Sequence, residues 1–519
     1  MRITPAAACS RRLISRKLII VVLLGSATLA RAQVPVGKGG VEAAFAERDI
    51  SPEIGQERAG GYGKEFHRSF RDSCKVRVGV FRQGATTVAL VGVDALMLAR
   101  PVVLAARAQI VQRTGIPGEA VLVSASHSHS SGPVGMVQPG EYDAAPELIR
   151  RLAYEESSLA DAKYLERIIV AIVDGVVTAH AALAPAQLGF GVGHEEKVGF
   201  NRRMRMKNGQ TWTNPGAGNP DIKGYAAPID PDVGVIGAWD LSGRLVGVVV
   251  NHACHTNVLP EGISANWVCH LERVIQAAME SKVPVVFLPG ACGDISKLDA
   301  LSPYERPTED AWMRVVGGRL GAEAVKVLLS APRGRDIPLE ARAKVWTIAR
   351  RAPGAAKVQR AQQIVAVGKP KANPAITEWT FAKETLMADF LARTQPDVEV
   401  EVQAVQIGPA VCLTNPAEYF VEYGLELKRR SPFPFTFPVE LANGCVGYVP
   451  TEEAFGANGG GYETRLTSYS NLAVSAGREL AEAGVALAAA LQPGALPVPP
   501  RLAKPVPVWL YGNAPPEVD

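Results

Sequence analysis

Short runs of apolar and β-branched residues alternate along most of the chain with stretches whose apolar positions recur at helical spacing. The short runs predict strands at 75–81, 86–94, 120–126, 244–251, 284–290 and 402–415. The helical spacing predicts helices at 101–114, 162–183, 307–330, 374–393, 417–429 and 469–491. This alternation predicts an α/β fold, with α+β as the alternative, in which helices flank a mixed sheet within one large domain.

Both ends of the sequence depart from this pattern. Residues 1–32 are first basic, then apolar, and end in small residues, as a secretory signal peptide does. Their apolar part is shorter than the roughly 20 residues of a spanning helix, so we expect an exported protein, periplasmic or secreted. Arg11 and Arg12 leave general and twin-arginine export both open. Residues 491–519 are rich in proline and predict an extended tail, which leaves 33–490 as the folded domain.

Residues 333–375 are rich in charge, glycine and proline, and they mark a candidate domain boundary. The strand predicted at 402–415 nevertheless ends in the same kind of residue as strands before the boundary. We therefore keep 33–490 as a single domain.

Charge and cysteine content exclude two classes of protein. Residues 1–32 carry six basic residues and no acid, so the formal net charge of +4 for the whole sequence becomes −2 without them. A nucleic-acid partner is therefore not expected. Six cysteines follow the leader without any CxxC pair, which disfavours a thiolate zinc site but permits disulfides in an exported protein.

Four of the predicted strands end in polar or glycine-rich residues of the kind that carry out chemistry. Ligands of helix-flanked sheets bind beyond the carboxyl ends of strands, so these ends predict one shared pocket. Histidines together with a carboxylate form the donor set that zinc favours. The residues, in chain order, are His127 and His129, His252 and His255, Asp294 and Ser296, and Glu418.

Each of these features also has a purely structural explanation. An HxH pair at a strand end is more often ordinary polar packing than a metal site, and His252 and His255 could be buried histidines bonded to backbone carbonyls. Glu418 could stabilise the first turn of a helix, and Asp294 or Ser296 could cap a turn. Agreement among four independent strand ends favours the functional interpretation.

Five motifs at these positions resemble, in order, those of the neutral/alkaline (non-lysosomal) ceramidase family of zinc amidohydrolases. They are SASHSHSSGPVG, VNHACHTNVLPEGISAN, FLPGACGDIS, TNPAEY and NGCVGYVPTEEAF, and the earlier AERDISPEIG, GYG and GVDAL are similar as well. The resemblance extends over roughly residues 43–490. It implies the catalytic domain of that family, with the proline-rich tail in place of the family's C-terminal β-sandwich domain.

The resemblance also implies a role for individual residues. It makes His127, His255, Glu418 and Tyr448 the ligands of one Zn²⁺ per chain, and it gives His252 no role. Around the metal it places His129 beside the substrate, Tyr462 over the substrate carbonyl, Ser296 as the essential serine, and Arg202, with Arg203 as its rival, as the arginine of the pocket.

These residues are consistent with hydrolysis of an amide bond. Zinc lowers the pKa of bound water to roughly 7 and polarises the carbonyl. Tyr462, Arg202 or backbone N–H groups around Gly293 would stabilise the oxyanion, and His129 would pass a proton to the amine. Asp294 would hold a ligand histidine in its tautomer. Ser296 is either a nucleophile or a hydrogen-bonding group, and the lack of an evident triad base favours the second.

The predicted substrate is ceramide or a related N-acyl lipid, reached through peripheral contact with a membrane. A smaller N-acyl compound or peptide is the alternative within the same chemistry. A non-catalytic exported binding protein is the alternative from another class. An amidohydrolase barrel also begins from HxH, but eight evenly spaced βα units are not evident. The sequence leaves the oligomeric state open.

Overall fold

A mixed sheet of nine strands forms the core of the computed structural model, which describes residues 39–518. The predicted signal peptide therefore lies outside the described residues. The strands are β1 (Glu42–Asp49), β2 (Lys75–Gln83), β3 (Thr86–Val93), β4 (Val121–Ala125), β5 (Ala184–His194), β6 (Phe200–Asn201), β7 (Arg203–Met206), β8 (Thr211–Thr213), β9 (Ile222–Tyr225), β10 (Asp232–Asp240), β11 (Leu245–His252), β12 (Val285–Pro289), β13 (Ile295–Ser296), β14 (Arg333–Gly334), β15 (Leu339–Ala349), β16 (Asp397–Ile407), β17 (Ala410–Thr414), β18 (Glu418–Tyr419), β19 (Phe435–Val439) and β20 (Tyr448–Val449).

Helices cover the sheets on their outer faces. α3 packs on β1 and β2, α5 packs on β5 and β10, and α9 packs on β16. The helices are α1 (Arg100–Thr114), α2 (Glu147–Tyr154), α3 (Ala162–Ala181), α4 (Val268–Ala278), α5 (Glu309–Ser330), α6 (Ala355–Ala366), α7 (Ala375–Thr394), α8 (Val421–Arg430) and α9 (Ala476–Ala489). The α/β prediction, a mixed sheet flanked by helices, is confirmed.

The large sheet runs in the order β12-β11-β10-β5-β1-β2-β3-β4, and β14 pairs with β5. Neighbouring strands are antiparallel except β11 with β12 and β3 with β4, which are parallel. The sheet curls until β12 lies against β3. The two strands approach so closely that a Cβ added at Gly92 would be only 2.6 Å from the carbonyl oxygen of Phe287. This curvature brings the carboxyl ends of β4, β11 and β12 together.

A second sheet, in the order β15-β16-β17-β19, completes this arrangement. The parallel pairing of β17 with β19 sends both strands toward the same end. Backbone hydrogen bonds then join the ends of the two sheets, because Glu440 N–H donates to Pro289 and Ala125 N–H donates to Leu441. The residues that follow β4, β11, β12, β17 and β19 therefore meet in one buried region.

Most predicted elements are confirmed, and three need correction. The strand predicted at 402–415 is two strands, β16 and β17, because the chain turns at Gly408, where φ is +59°. The helix predicted at 417–429 begins only at Val421, because Glu418 and Tyr419 form a strand. The helix predicted at 469–491 begins only at Ala476.

The candidate boundary at 333–375 does not separate two domains. β15 pairs along its whole length with β16, and α6 packs on α7. The described residues form one compact unit. The 33–490 limits themselves stay a prediction.

Two further properties concern the described residues as a whole. None of their helices is long and apolar enough to cross a membrane. The six cysteines from Cys74 to Cys445 are all free thiols.

Candidate metal centre

His127 lies in the loop after β4, in a conformation that few residues other than glycine adopt. Its φ is +64°, in the left-handed region that costs a residue with a Cβ about 1 kcal/mol. The imidazole Nδ1 lies 2.9 Å from the carbonyl oxygen of Leu96. Because a carbonyl only accepts, Nδ1 carries the proton and Nε2 presents a lone pair to the interior of the site.

His255, which follows β11, is held in the same way. Its Nδ1 donates to the carbonyl oxygen of Cys292 at 2.6 Å, and its backbone N–H donates to Ile295 at 3.3 Å. Its Nε2 therefore also presents a lone pair. Arg202 Nη1 lies 3.2 Å from this Nε2 and donates to it.

Glu418 lies on β18, directly opposite Tyr448 on the parallel strand β20. Its Oε1 accepts a hydrogen bond from the Tyr469 hydroxyl at 2.8 Å. Its Oε2 lies 3.3 Å from His127 Nε2 and 3.2 Å from His255 Nε2. With both imidazole protons on Nδ1, no donor reaches this buried oxygen.

This unpaired carboxylate oxygen is the observation that fits a cation. An unsatisfied charged acceptor in the interior is costly unless a positive charge compensates it. Two imidazole nitrogens and one carboxylate oxygen are donors that zinc accepts. The residues present therefore fit a divalent metal ion held between His127, His255 and Glu418.

The pKa shifts follow from the same geometry. Burial alone would lower the pKa of His127, but the neighbouring Glu418 carboxylate outweighs burial and raises it. Burial alone would raise the pKa of Glu418, but His127 and His255 hold it well below its usual range. Burial, together with Arg202 and His127, lowers the pKa of His255 to about 3. A proton on His127 and a metal ion at the same place are therefore alternative ways to compensate the charge of the Glu418 carboxylate.

His129 also reaches the centre. Its Nε2 lies 3.3 Å from His127 Nε2, and the three histidines bring ligand atoms within 4.8 Å of one another. A Cβ at Gly60 would lie 2.9 Å from His129 Nδ1, so only glycine lets this segment pack on the ring. Burial and the other two histidines hold the pKa of His129 well below its ordinary value. A neutral His129 can bind a metal or accept a proton. We call His127, His129, His255 and Glu418 the histidine cluster.

Two tyrosines and one arginine lie beside the histidine cluster. The hydroxyls of Tyr448 and Tyr462 are hydrogen-bonded to each other, and Arg202 Nη2 lies 3.1 Å from the Tyr462 hydroxyl. Arg202 is fixed by Glu463 at 2.9 Å and by the Gly293 carbonyl at 2.7 Å. Burial raises the pKa of both tyrosines, so both stay protonated and able to donate.

The structure distinguishes between two pairs of predicted residues. Arg203 donates to the Gly460 carbonyl and stacks over Phe420, whereas Arg202 lies beside the histidine cluster. His252 donates through Nδ1 to the Asp232 carbonyl at 2.9 Å and lies outside the histidine cluster.

Three expectations concern the segment after β12: the roles of Asp294, of the Gly293 N–H and of Ser296. The Asp294 carboxylate accepts from Asn201 and from Val421 N–H, so backbone carbonyls, and not Asp294, orient the ligand histidines. The Gly293 N–H already donates to the Tyr419 carbonyl at 2.8 Å and is not available to an oxyanion. Ser296 is buried on β13, next to the residue that accepts from the His255 N–H.

Sequence reasoning missed three residues that support the site. Glu463 pairs with Arg202, Tyr469 donates to Glu418, and Glu440 lies fully buried beneath the centre. For Glu440 a signal exists, because it follows β19 in the way that the other site residues follow their strands. For Glu463 and Tyr469 the partner depends on loop packing, which no local pattern reveals.

Comparison with known proteins places this geometry in context. No protein-family model matches the chain. The neutral ceramidase of Pseudomonas aeruginosa is 30% identical over 135 residues, a match that spans 25% of this chain and only 16% of that protein.

Solved structures give a much longer match. The crystal structure of neutral ceramidase from Pseudomonas aeruginosa superposes with a TM-score of 0.65 at 20% identity, over 89% of this chain and 77% of that one. A ceramidase complexed with C2 superposes with a TM-score of 0.63 at 18% identity, over 90% and 78%. The resemblance predicted from the motifs is confirmed at the level of structure: the chain has the fold of the neutral ceramidases.

Proposed function

We propose that this chain is a zinc-dependent amidohydrolase that cleaves the N-acyl amide bond of ceramide or a related N-acyl lipid. The observation that carries the proposal is the buried Glu418 Oε2. This oxygen accepts no hydrogen bond, and it faces the Nε2 lone pairs of His127 and His255. The fold shared with neutral ceramidases supports a hydrolase of amides.

His127, His255 and Glu418 would hold the metal, with Tyr448 as the predicted fourth ligand and His129 as a second candidate. Zinc in such a site polarises a carbonyl and lowers the pKa of water to roughly 7. Nitrogen and oxygen donors without a thiolate suit zinc, and other divalent transition metals compete for the same set.

The other residues have roles that follow from their hydrogen bonds. Tyr462 and Arg202 lie side by side as donors, so they would stabilise negative charge that develops on the substrate oxygen. Neutral His129 would accept a proton and return it to the departing amine. Arg202 is fixed by Glu463 and Gly293, so little reorganisation is needed when charge develops.

A lipid substrate and an exported location complete the proposal. One structural neighbour is a ceramidase complexed with C2, which supports a lipid N-acyl substrate over a smaller N-acyl compound. Export to the periplasm or the exterior, and peripheral contact with a membrane, rest on the sequence of residues 1–32 and on the nature of such a substrate.

The test is a panel of N-acyl substrates, from ceramides to acyl amino acids and peptides, assayed with and without chelator. His127→Ala is expected to abolish hydrolysis, because it removes a ligand. His252→Ala is the matched control, because His252 is also buried, at the end of β11, but lies outside the histidine cluster.

The outcomes separate the alternatives. Hydrolysis of ceramides that chelator and His127→Ala abolish, and that His252→Ala leaves intact, supports the proposal. Hydrolysis confined to acyl amino acids or peptides identifies the smaller substrate class. Bound metal with no hydrolysis of any substrate would instead support the exported binding protein.

A further inference from the structure

Glu440 is a fully buried carboxylate that the proposed chemistry does not use. It follows β19, and no Lys, Arg or His side chain of residues 39–518 lies within 4.0 Å of it. Its carboxylate accepts three hydrogen bonds. Oε2 accepts from the backbone N–H groups of Cys292 at 2.8 Å and Tyr419 at 2.9 Å, and Oε1 accepts from Cys292 Sγ at 2.9 Å.

The two backbone N–H groups belong to segments that carry the metal site. The carbonyl of Cys292 accepts from His255 Nδ1 and so sets the orientation of that imidazole. Tyr419 directly follows Glu418 on β18. A single oxygen atom therefore holds the backbone that orients one candidate ligand and the backbone that carries another.

Glu440 is itself fixed at the junction of the two sheets. Its N–H donates to the Pro289 carbonyl at the end of β12, and its carbonyl accepts from the Ser124 hydroxyl on β4. The segments of Cys292 and Tyr419 also contact each other through the Gly293 N–H. Through these hydrogen bonds, Glu440 connects the segments of Cys292 and Tyr419 to β12 and β4.

We propose that Glu440 is a positioning residue of the metal centre, which holds His255 and Glu418 at the separation that a metal ion requires. This inference rests on the proposed function, since it assumes that the histidine cluster binds a metal. Residues that orient metal ligands commonly contribute about 10- to 100-fold to metal affinity.

Both backbone hydrogen bonds end on Oε2, so a single substitution of Glu440 either keeps both bonds or removes both. In Glu440→Gln, the amide oxygen at that place keeps both bonds. In Glu440→Leu, both bonds are lost. Glu440→Asp shortens the side chain and withdraws the acceptor, and it serves if the leucine variant does not fold.

The control is Glu401→Leu, which removes another buried carboxylate, one that pairs with Arg100 and Arg107 and contacts no ligand segment. The readout is the dissociation constant of Zn²⁺ for the stripped full-length chain, measured by chelator competition. Thermal unfolding of each metal-free variant shows that it is folded before the titration.

We expect Glu440→Gln to bind Zn²⁺ within about threefold of the unmodified chain, and Glu440→Leu or Glu440→Asp to bind it about 10- to 100-fold more weakly. Glu401→Leu should lose stability and keep the Zn²⁺ affinity. Unchanged affinity in both the leucine and aspartate variants would overturn the inference, as would a glutamine variant as weak as leucine. An unmodified chain that binds no Zn²⁺ would contradict the proposed function instead.

Discussion

Two of the buried polar clusters that contain carboxylates differ in where the compensating charge comes from. In the arginine cluster, formed by Arg77, Asp94 and Glu272, the guanidinium lies 2.6 Å from one carboxylate and 2.8 Å from the other. In the histidine cluster, the Glu418 carboxylate has no Lys or Arg of residues 39–518 within 4.0 Å. Arg202, the nearby cation, is paired with Glu463.

The pKa shifts express the same difference. In the arginine cluster burial alone would lower the pKa of Arg77, but its two carboxylates outweigh burial and raise it, so the cation is permanent. In the histidine cluster the charge partner of Glu418 is a proton on His127, which a metal ion can replace. The arginine cluster carries a permanent cation of its own, whereas the positive charge of the histidine cluster is a proton whose place a metal ion could take.

The largest expected effect comes from Glu418→Gln, which keeps the shape and removes the charge of the histidine cluster. We expect a loss of about 10⁴-fold in kcat/KM, because the metal and its chemistry are lost together. A variant that keeps its activity would contradict the assignment of Glu418 as a ligand.

The next effect is on stability alone. Arg77→Met leaves Asp94 buried without its cation and Glu272 with only Lys75 at 3.3 Å, and we expect the free energy of unfolding to fall by about 3–5 kcal/mol. Denaturant titration measures this change. Arg244→Met, at an exposed pair with Asp240, is the control and should change stability by no more than about 0.5 kcal/mol. A similar loss in both variants would remove the distinction between the clusters.

Removal of the metal should destabilise the chain through the histidine cluster only. If free metal exceeds its dissociation constant by about 100- to 1,000-fold, binding adds about 2.7–4.1 kcal/mol to the free energy of unfolding. Thermal unfolding with and without chelator measures it. In Glu418→Gln the chelator should have no effect, while in Arg77→Met the shift should persist on a lower baseline. A chelator shift that survives in Glu418→Gln would place the metal elsewhere.

The smallest effect is the dependence of this stabilisation on pH. Because the pKa of His127 is raised on folding, its protonated form stabilises the metal-free chain below its ordinary pKa of 6.5, and this contribution is lost as the pH rises through the raised value. The stability added by the metal should therefore grow as the pH rises from below 6.5 through the raised pKa of His127, by at most about 1.4 kcal/mol per pH unit. A difference that stays constant over this range would mean that no proton leaves when the metal binds.

The sequence predicts the strands with the longest apolar runs and misses several others, among them strands that are rich in small residues. β5 was not predicted, because glycine alternates along it at Gly189, Gly191 and Gly193. These glycines let α5 approach the sheet, since a Cβ at Gly191 would lie 2.7 Å from the Val327 side chain. β1, with its alanines and glutamates, carries no strand signal either. In both cases the tertiary contact, and not the local propensity, selects the strand.

The candidate site is predicted in its chemistry but not in its support. Strand ends and motifs single out His127, His255, Glu418 and Arg202, and the curled sheet brings these side chains together. The carbonyls that orient the histidines belong to Leu96 and Cys292, 31 and 37 residues away in the chain. Such partners depend on how loops pack, so Asp294 was a reasonable expectation and the wrong residue for that role.

X-ray absorption at the zinc edge of the purified chain, together with its metal content, tests the central claim most directly. The account predicts one zinc per chain with only nitrogen and oxygen ligands, at about 2.0–2.2 Å. The Cys292 thiol, in the segment that orients His255, is hydrogen-bonded to Glu440. A chain without bound metal, or a zinc with a sulfur ligand at about 2.3 Å, would contradict the histidine cluster as the metal centre.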